Sequence, residues 1–290
     1  YFLFRKNILI SLIDQDFSVY VAISSQYNDA SIAGLTQNYS ILTFDVISKM
    51  LWNIFLFAYV KLLSVYNSEI TNLLLLKYVL SFFLVISIAK QREKSLFIVL
   101  VLLISSSILI NPLGFLLTEW LRTSIALTFS LFSTLFYKNH IIGKNNDYNS
   151  FLYLGVISFL FHFSFLPTFT LLLLFFKSKK FSKLLYSFYI PCCTLPFFYM
   201  ILFVGIKTNI VYILLLIITF VAILTYYREK RSIVNFTITS AYAIPFIFFC
   251  CVNSVYFQRC SSILSVFIVL FVNDIIFSII EPSFKTLVKR

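Results

Sequence analysis

Five short clusters of lysine and arginine cut this chain into long apolar runs, and that alternation limits its fold more than any other feature. The clusters lie at 90–94, 138–144, 177–183, 228–231 and 285–290. Between them stand stretches that approach or exceed the roughly 20 apolar residues a helix needs to span a hydrocarbon layer. Composition closes the other options. Of 290 residues, 60% are hydrophobic and only 12% are charged, and the mean hydropathy is +0.95. A soluble domain of this size carries about a quarter charged residues. Folding in water would leave a very large apolar surface exposed. The expectation is an all-α polytopic transmembrane bundle, one integral membrane domain over 1–290. It should have about 8–10 membrane segments, some of them broken or re-entrant.

The net charge of +12 raises the question of nucleic acid, and the position of the charge answers it. Basic residues in short loops mark the cytoplasmic side of a membrane protein, so no nucleic-acid partner is expected. The cysteines, Cys192, Cys193, Cys250, Cys251 and Cys260, lie in or beside apolar runs without CxxC spacing. They are expected to pack as small hydrophobes, not to bind zinc or form a disulfide framework. The sequence has five glycines and no Walker-type loop, HExxH or DxD. Nucleotide-driven chemistry is thus disfavoured, and neither a metal nor a cofactor is expected.

Taken in order, Tyr1-Phe2-Leu3-Phe4 reads as the end of a spanning segment cut off upstream. Residues 5–39, relatively polar and holding Asp14, Asp16 and Asp29, read as a periplasmic loop. Residues 40–65 have helical period but are interrupted by Asp45, Lys49, Asn53 and Lys61. With Trp52 they suggest a segment lying along the membrane interface. Spans are expected over 70–89, 95–110, 121–137, 184–204, 208–227, 233–252 and 260–280. Setting their basic loops on one side puts Arg122 near the opposite, outer face. Residues 150–176 have a basic loop at each end. They are expected to form a broken hairpin bent at His162–Pro167, because proline ends a helix and irregular backbone at membrane depth must be buried or line water.

Ionisable groups inside such segments are expensive and usually functional. Arg122 follows Glu119 by three residues, so the two share a helix face; a guanidinium fork suits phosphate oxygens. The alternative for Arg122 is an anchor at the headgroups. His162, in Phe161-His162-Phe163-Ser164, can move a proton near neutral pH, or it can simply hydrogen-bond across helices, with Ser158 one turn earlier. His140, the other histidine, is expected to be solvated in its basic loop. Arg259 sits at a predicted outer helix end. Two arginines meeting in one cavity would suit a diphosphate, although Arg259 reads equally as an anchor for the last span. Asp16 and Tyr20, four residues apart, can share one polar helical face, or Asp16 is simply solvated.

These motifs, in this order, resemble the EpsG-type Wzy family of bacterial O-antigen and exopolysaccharide polymerases. The family's acidic–tyrosine D-x-x-x-Y element is matched by Asp16-Phe17-Ser18-Val19-Tyr20, and its Arg-x-x-x-Ala helix start by Arg122-Thr123-Ser124-Ile125-Ala126. Its Phe-His-x-Ser element is matched by Phe161 to Ser164, and its later arginine after an aromatic pair by Tyr256-Phe257-Gln258-Arg259. Departures are Thr123 where glutamine is frequent and Phe17 where the family has tyrosine. The resemblance implies a glycosyltransferase of the bacterial inner membrane that polymerises undecaprenyl-diphosphate-linked oligosaccharide repeats at the periplasmic face, without a metal. It implies that Arg122 and Arg259 hold the leaving diphosphate and that His162 is a base or diphosphate ligand, with Glu119 or Asp16 as alternative bases. Tyr20, Arg5, Tyr256, Trp120 and Ser158 are the candidate substrate-binding residues. Partners implied are the lipid-linked oligosaccharide, the bilayer, and a chain-length regulator and flippase of the same pathway. A flippase or exporter of the same lipid-linked sugars is the main rival; it would favour internal repeats with broken helices, and no repeat is evident. A membrane acyltransferase modifying surface polysaccharide is the second, favoured if His162 lies near the inner face.

Overall fold

A computed structural model describes residues 47, 50–55, 58–59, 69–91, 121–141, 148–199, 201–202, 210–252 and 257–288. They are almost entirely helical, and no strand occurs among them. The elements are α1 (Glu69–Gln91), α2 (Leu121–Ile141), α3 (Tyr148–Phe161) and a 3-10 turn at Phe163–Phe165. Then follow α4 (Leu166–Lys177), α5 (Lys179–Tyr199), α6 (Ile210–Glu229), α7 (Ile233–Val252) and α8 (Phe257–Val288). Three stretches among the described residues are long and apolar enough to cross a membrane: Ile210–Glu229, Ile233–Cys251 and Arg259–Ile276. Shorter apolar helices include Tyr148–Phe161 and Phe163–Lys177.

Helix α7 is the hub, packing on α8, α6, α5 and α4, while α2 packs chiefly on α3 and α1. Small and hydroxylated residues let α2 and α3 approach closely, as membrane-type helix pairs do. Ser158 Oγ donates to the Ala126 carbonyl at 2.7 Å and Ser133 Oγ donates to the Phe151 carbonyl at 2.8 Å. On each helix the donor and the acceptor are seven residues apart, 126 and 133 on α2 and 151 and 158 on α3, so these rungs fix an antiparallel register. On α3, Gly155 is the position where α4 crosses: a Cβ there would come within 2.1 Å of the Phe169 ring. Phe176 at the end of α4 lies against Tyr148 and Phe151 at the start of α3, with ring centroids 4.9 and 5.3 Å apart. So α4 returns alongside α3. The expected hairpin over 150–176 is present, and its bend falls at His162.

Contacts gather the basic segments at one end of the bundle. Lys138 Nζ donates to the Gln91 carbonyl at 3.2 Å, joining the last turns of α1 and α2. His140 is stacked on Phe176 with centroids 4.0 Å apart; the expected solvated loop histidine is an aromatic neighbour in the last turn of α2. Tyr186 Oη on α5 donates to the Arg228 carbonyl on α6 at 2.6 Å. Tyr227 Oη donates to Asp274 Oδ2 on α8 at 2.7 Å. The first turn of α8, with Arg259, is therefore at the other end, where Phe257 meets Tyr212 of α6 at 5.3 Å.

The sequence explains the irregularities. Helix α5 kinks at Phe188 (φ −112°, ψ 16°), three residues before Pro191, whose ring crowds the preceding turn. Helix α6 stops in a turn where Arg231 has φ 52°. There the Ser232 amide donates to the Tyr227 carbonyl at 2.9 Å and the Arg231 amide to the Arg228 carbonyl at 3.0 Å. That pairing caps the last carbonyls and normally recruits glycine at the left-handed position; arginine there costs roughly 1–2 kcal/mol.

Candidate functional site

The site is built on the break between α3 and α4. The last hydrogen bond of α3 is donated by the His162 amide to the Ser158 carbonyl at 3.1 Å. His162 itself is extended (φ −148°, ψ 108°). The Phe165 amide then returns to the His162 carbonyl at 3.0 Å, and Pro167 falls in the first turn of α4. Proline cannot continue α3, but at a helix start its missing N–H is not needed. The chain therefore bends with these backbone groups paired, as irregular backbone within an apolar bundle requires.

The bend leaves the His162 imidazole inside the protein, 6% exposed. Its Nδ1 is 2.7 Å from Ser164 Oγ. Its Nε2 is buried and has no hydrogen-bond partner among the described residues. Aromatic rings form the surroundings. Phe165 meets the imidazole edge-on, with centroids 6.2 Å apart, and in turn contacts Phe246 of α7. Phe161 is stacked parallel to Phe129 of α2 and is met edge-on by Phe55 and Trp52.

Two cations lie within electrostatic reach of His162: Arg122, in the first turn of α2, and Arg259, in the first turn of α8. Each arginine is half-buried. Sequence-distant elements thus bring Arg122, His162 and Arg259 together, at the end of the bundle opposite the basic turns. Guanidinium groups are suited to hydrogen-bond the oxygens of a phosphate. An unpartnered buried ring nitrogen is expensive. It can accept a proton from a bound hydroxyl when Nδ1–H donates to Ser164 Oγ, or donate to an anionic oxygen when Ser164 O–H donates to Nδ1.

Of the other expected residues, Ser158 is buried and its hydroxyl is turned to the Ala126 carbonyl. Arg5, Asp16, Tyr20, Glu119, Trp120 and Tyr256 lie outside the described residues, as do the expected loop over 5–39 and span over 95–110. Trp52, expected at a membrane interface, is 3% exposed and packs edge-on near Phe161. Ser164 has a role that sequence reasoning missed. Ser164 stands in the Phe161-His162-Phe163-Ser164 element, but its contact with Nδ1 depends on the 3-10 turn that begins directly after the extended His162.

Comparison with protein-family models, with curated proteins and with solved structures returned no match.

Proposed function

We propose that the chain is a polytopic protein of the bacterial inner membrane that polymerises undecaprenyl-diphosphate-linked oligosaccharide repeats at the periplasmic face. The observation that carries the proposal is the meeting of Arg122 and Arg259, from opposite halves of the chain, on one buried histidine at a helix break. Two fixed cations match the two phosphates of a lipid diphosphate, and the apolar exterior suits its polyprenyl tail. With the basic turns in the cytoplasm, the cluster faces outward.

In the reaction, an acceptor sugar hydroxyl attacks the anomeric carbon of the growing chain as the bond to the lipid diphosphate breaks. Negative charge builds on the departing phosphate oxygens. Arg122 and Arg259, already held in position, stabilise that charge without reorganising, which is where fixed groups contribute most. His162 Nε2 takes the acceptor proton while Ser164 holds the ring through Nδ1. Aromatic walls keep water from competing for the anomeric carbon.

The depth of the histidine argues against a cytoplasmic acyltransferase. Helix α3 has 14 residues between its basic-end start and the break, about 21 Å at 1.5 Å per residue. An acyl donor from the cytoplasm would have to travel most of the roughly 30 Å hydrocarbon thickness. The deciding experiment deletes the gene from its host and resolves the surface polysaccharide on a gel. A polymerase loss leaves single-repeat product. Complete loss of surface sugar would instead identify a flippase, and an unchanged ladder would dismiss both.

A further inference from the structure

A groove with two cations in its lining lies at the opposite end. It is open, about 310 Å³ in volume, between α5 and the turn joining α6 to α7, and is lined by Lys183, Tyr186, Arg231 and Ile233. Its two cations come from different elements. Its floor is apolar and fixed: Tyr186 Oη is tied to the Arg228 carbonyl at 2.6 Å, and the Arg228 guanidinium lies over the Tyr186 ring at 5.4 Å. Arg231 occupies a left-handed backbone position at which glycine is the ordinary choice, and such strain tends to be kept at binding sites. One turn beyond Tyr186, on the same side of α5, Ile190 is 45% exposed.

We propose that this groove binds the headgroup phosphate of an anionic membrane phospholipid. Lys183 and Arg231 hold the phosphate oxygens, Tyr186 and Ile233 receive the glycerol backbone, and the acyl chains run along α5 past the exposed Ile190. Cations above an apolar floor suit an amphiphile better than a free phosphate, which would gain nothing from Ile233. Basic residues on the cytoplasmic side also meet the leaflet where anionic lipid charge acts. The site rests on the membrane assignment above and is independent of the transferase chemistry.

The test measures melting of the delipidated protein in neutral detergent with added phosphatidylglycerol, phosphatidylcholine or soluble glycerol 3-phosphate. Phosphatidylglycerol should raise the melting temperature by several degrees and the other two should not. The Lys183→Gln/Arg231→Gln protein should lose that shift. Arg231→Gly keeps a residue suited to the helix end, so it should fold at least as well as the parent without lipid and still lose most of the shift. An equal shift with phosphatidylcholine, an equal shift with glycerol 3-phosphate, or a full shift in both variants would overturn the proposal. Recovery of the chain from the soluble fraction without detergent would sink the membrane assignment itself. A failed lipid response in a detergent-requiring protein would leave the Arg122–His162–Arg259 site standing.

Discussion

Two helical hairpins in this protein, α3–α4 and α6–α7, are built from similarly apolar sequence and close at opposite ends of the bundle. Helices α6 and α7 have 20 residues each, enough to cross a bilayer. Their turn, Lys230–Ser232, carries exposed cations and is held by backbone hydrogen bonds. Helices α3 and α4 have 14 and 12 residues. In their turn His162 and Phe165 are buried and meet edge-on, while Phe163 is exposed. A turn in water can carry charge at little cost, and there charge sets orientation. A turn inside the bundle keeps a polar group only against a penalty of several kcal/mol if unpaired. On the proposed reading, the long hairpin would set topology and the short one would carry function.

Substitutions can break or sharpen that contrast. The largest effect is expected from His162→Ala, which should lower polymerisation on the order of 10²–10⁴-fold, the range for a positioned general base. Arg122→Ala and Arg259→Ala should each cost on the order of 10²–10³-fold, as for loss of one fixed donor to a developing anion. All three proteins should still insert in the membrane. In the long hairpin's turn, Lys230→Ala should leave polysaccharide length unchanged on the same gel. Gly155→Ala should destabilise the short hairpin by about 1–3 kcal/mol through overpacking, seen as a lower melting temperature, because its Cβ meets Phe169. Ser164→Ala removes about 1 kcal/mol of orientation, roughly a fivefold loss of rate, with no change in insertion. The smallest effect belongs to Ile218→Ala on α6, 61% exposed, which should alter neither rate nor melting. An effect of Ile218→Ala as large as that of Gly155→Ala would erase the distinction between the hairpins.

Much of the helical framework was legible in the sequence. The expected span over 233–252 coincides with α7, and the bend before Pro167 falls where the proline demands it. Both follow from local chemistry: apolar run length and a missing N–H. Helix α5 starts at Lys179 rather than at residue 184, because lysines at a helix end can extend into water while the backbone stays helical. Packing partners were less legible. Ser158 reads as a polar group available to substrate, yet its acceptor is the Ala126 carbonyl, and a backbone acceptor leaves no mark on residue type. Trp52 reads as an interfacial residue by composition, and only the tertiary contact with Phe161 buries it. The meeting of Arg122, His162 and Arg259 was expected from the resemblance, whereas the residues alone marked them as separate expensive charges. That they share a site depends on which helix starts adjoin the bend, which no local pattern encodes.

The central claim is that these three residues grip a lipid diphosphate. Its most direct test is equilibrium binding of undecaprenyl diphosphate and undecaprenyl monophosphate to the purified protein. The account predicts that the diphosphate binds at least tenfold more tightly, and that Arg122→Ala or Arg259→Ala removes the preference, a coupling of about 1.4 kcal/mol. Equal binding of the two lipids, or a preference unchanged in both variants, would contradict it.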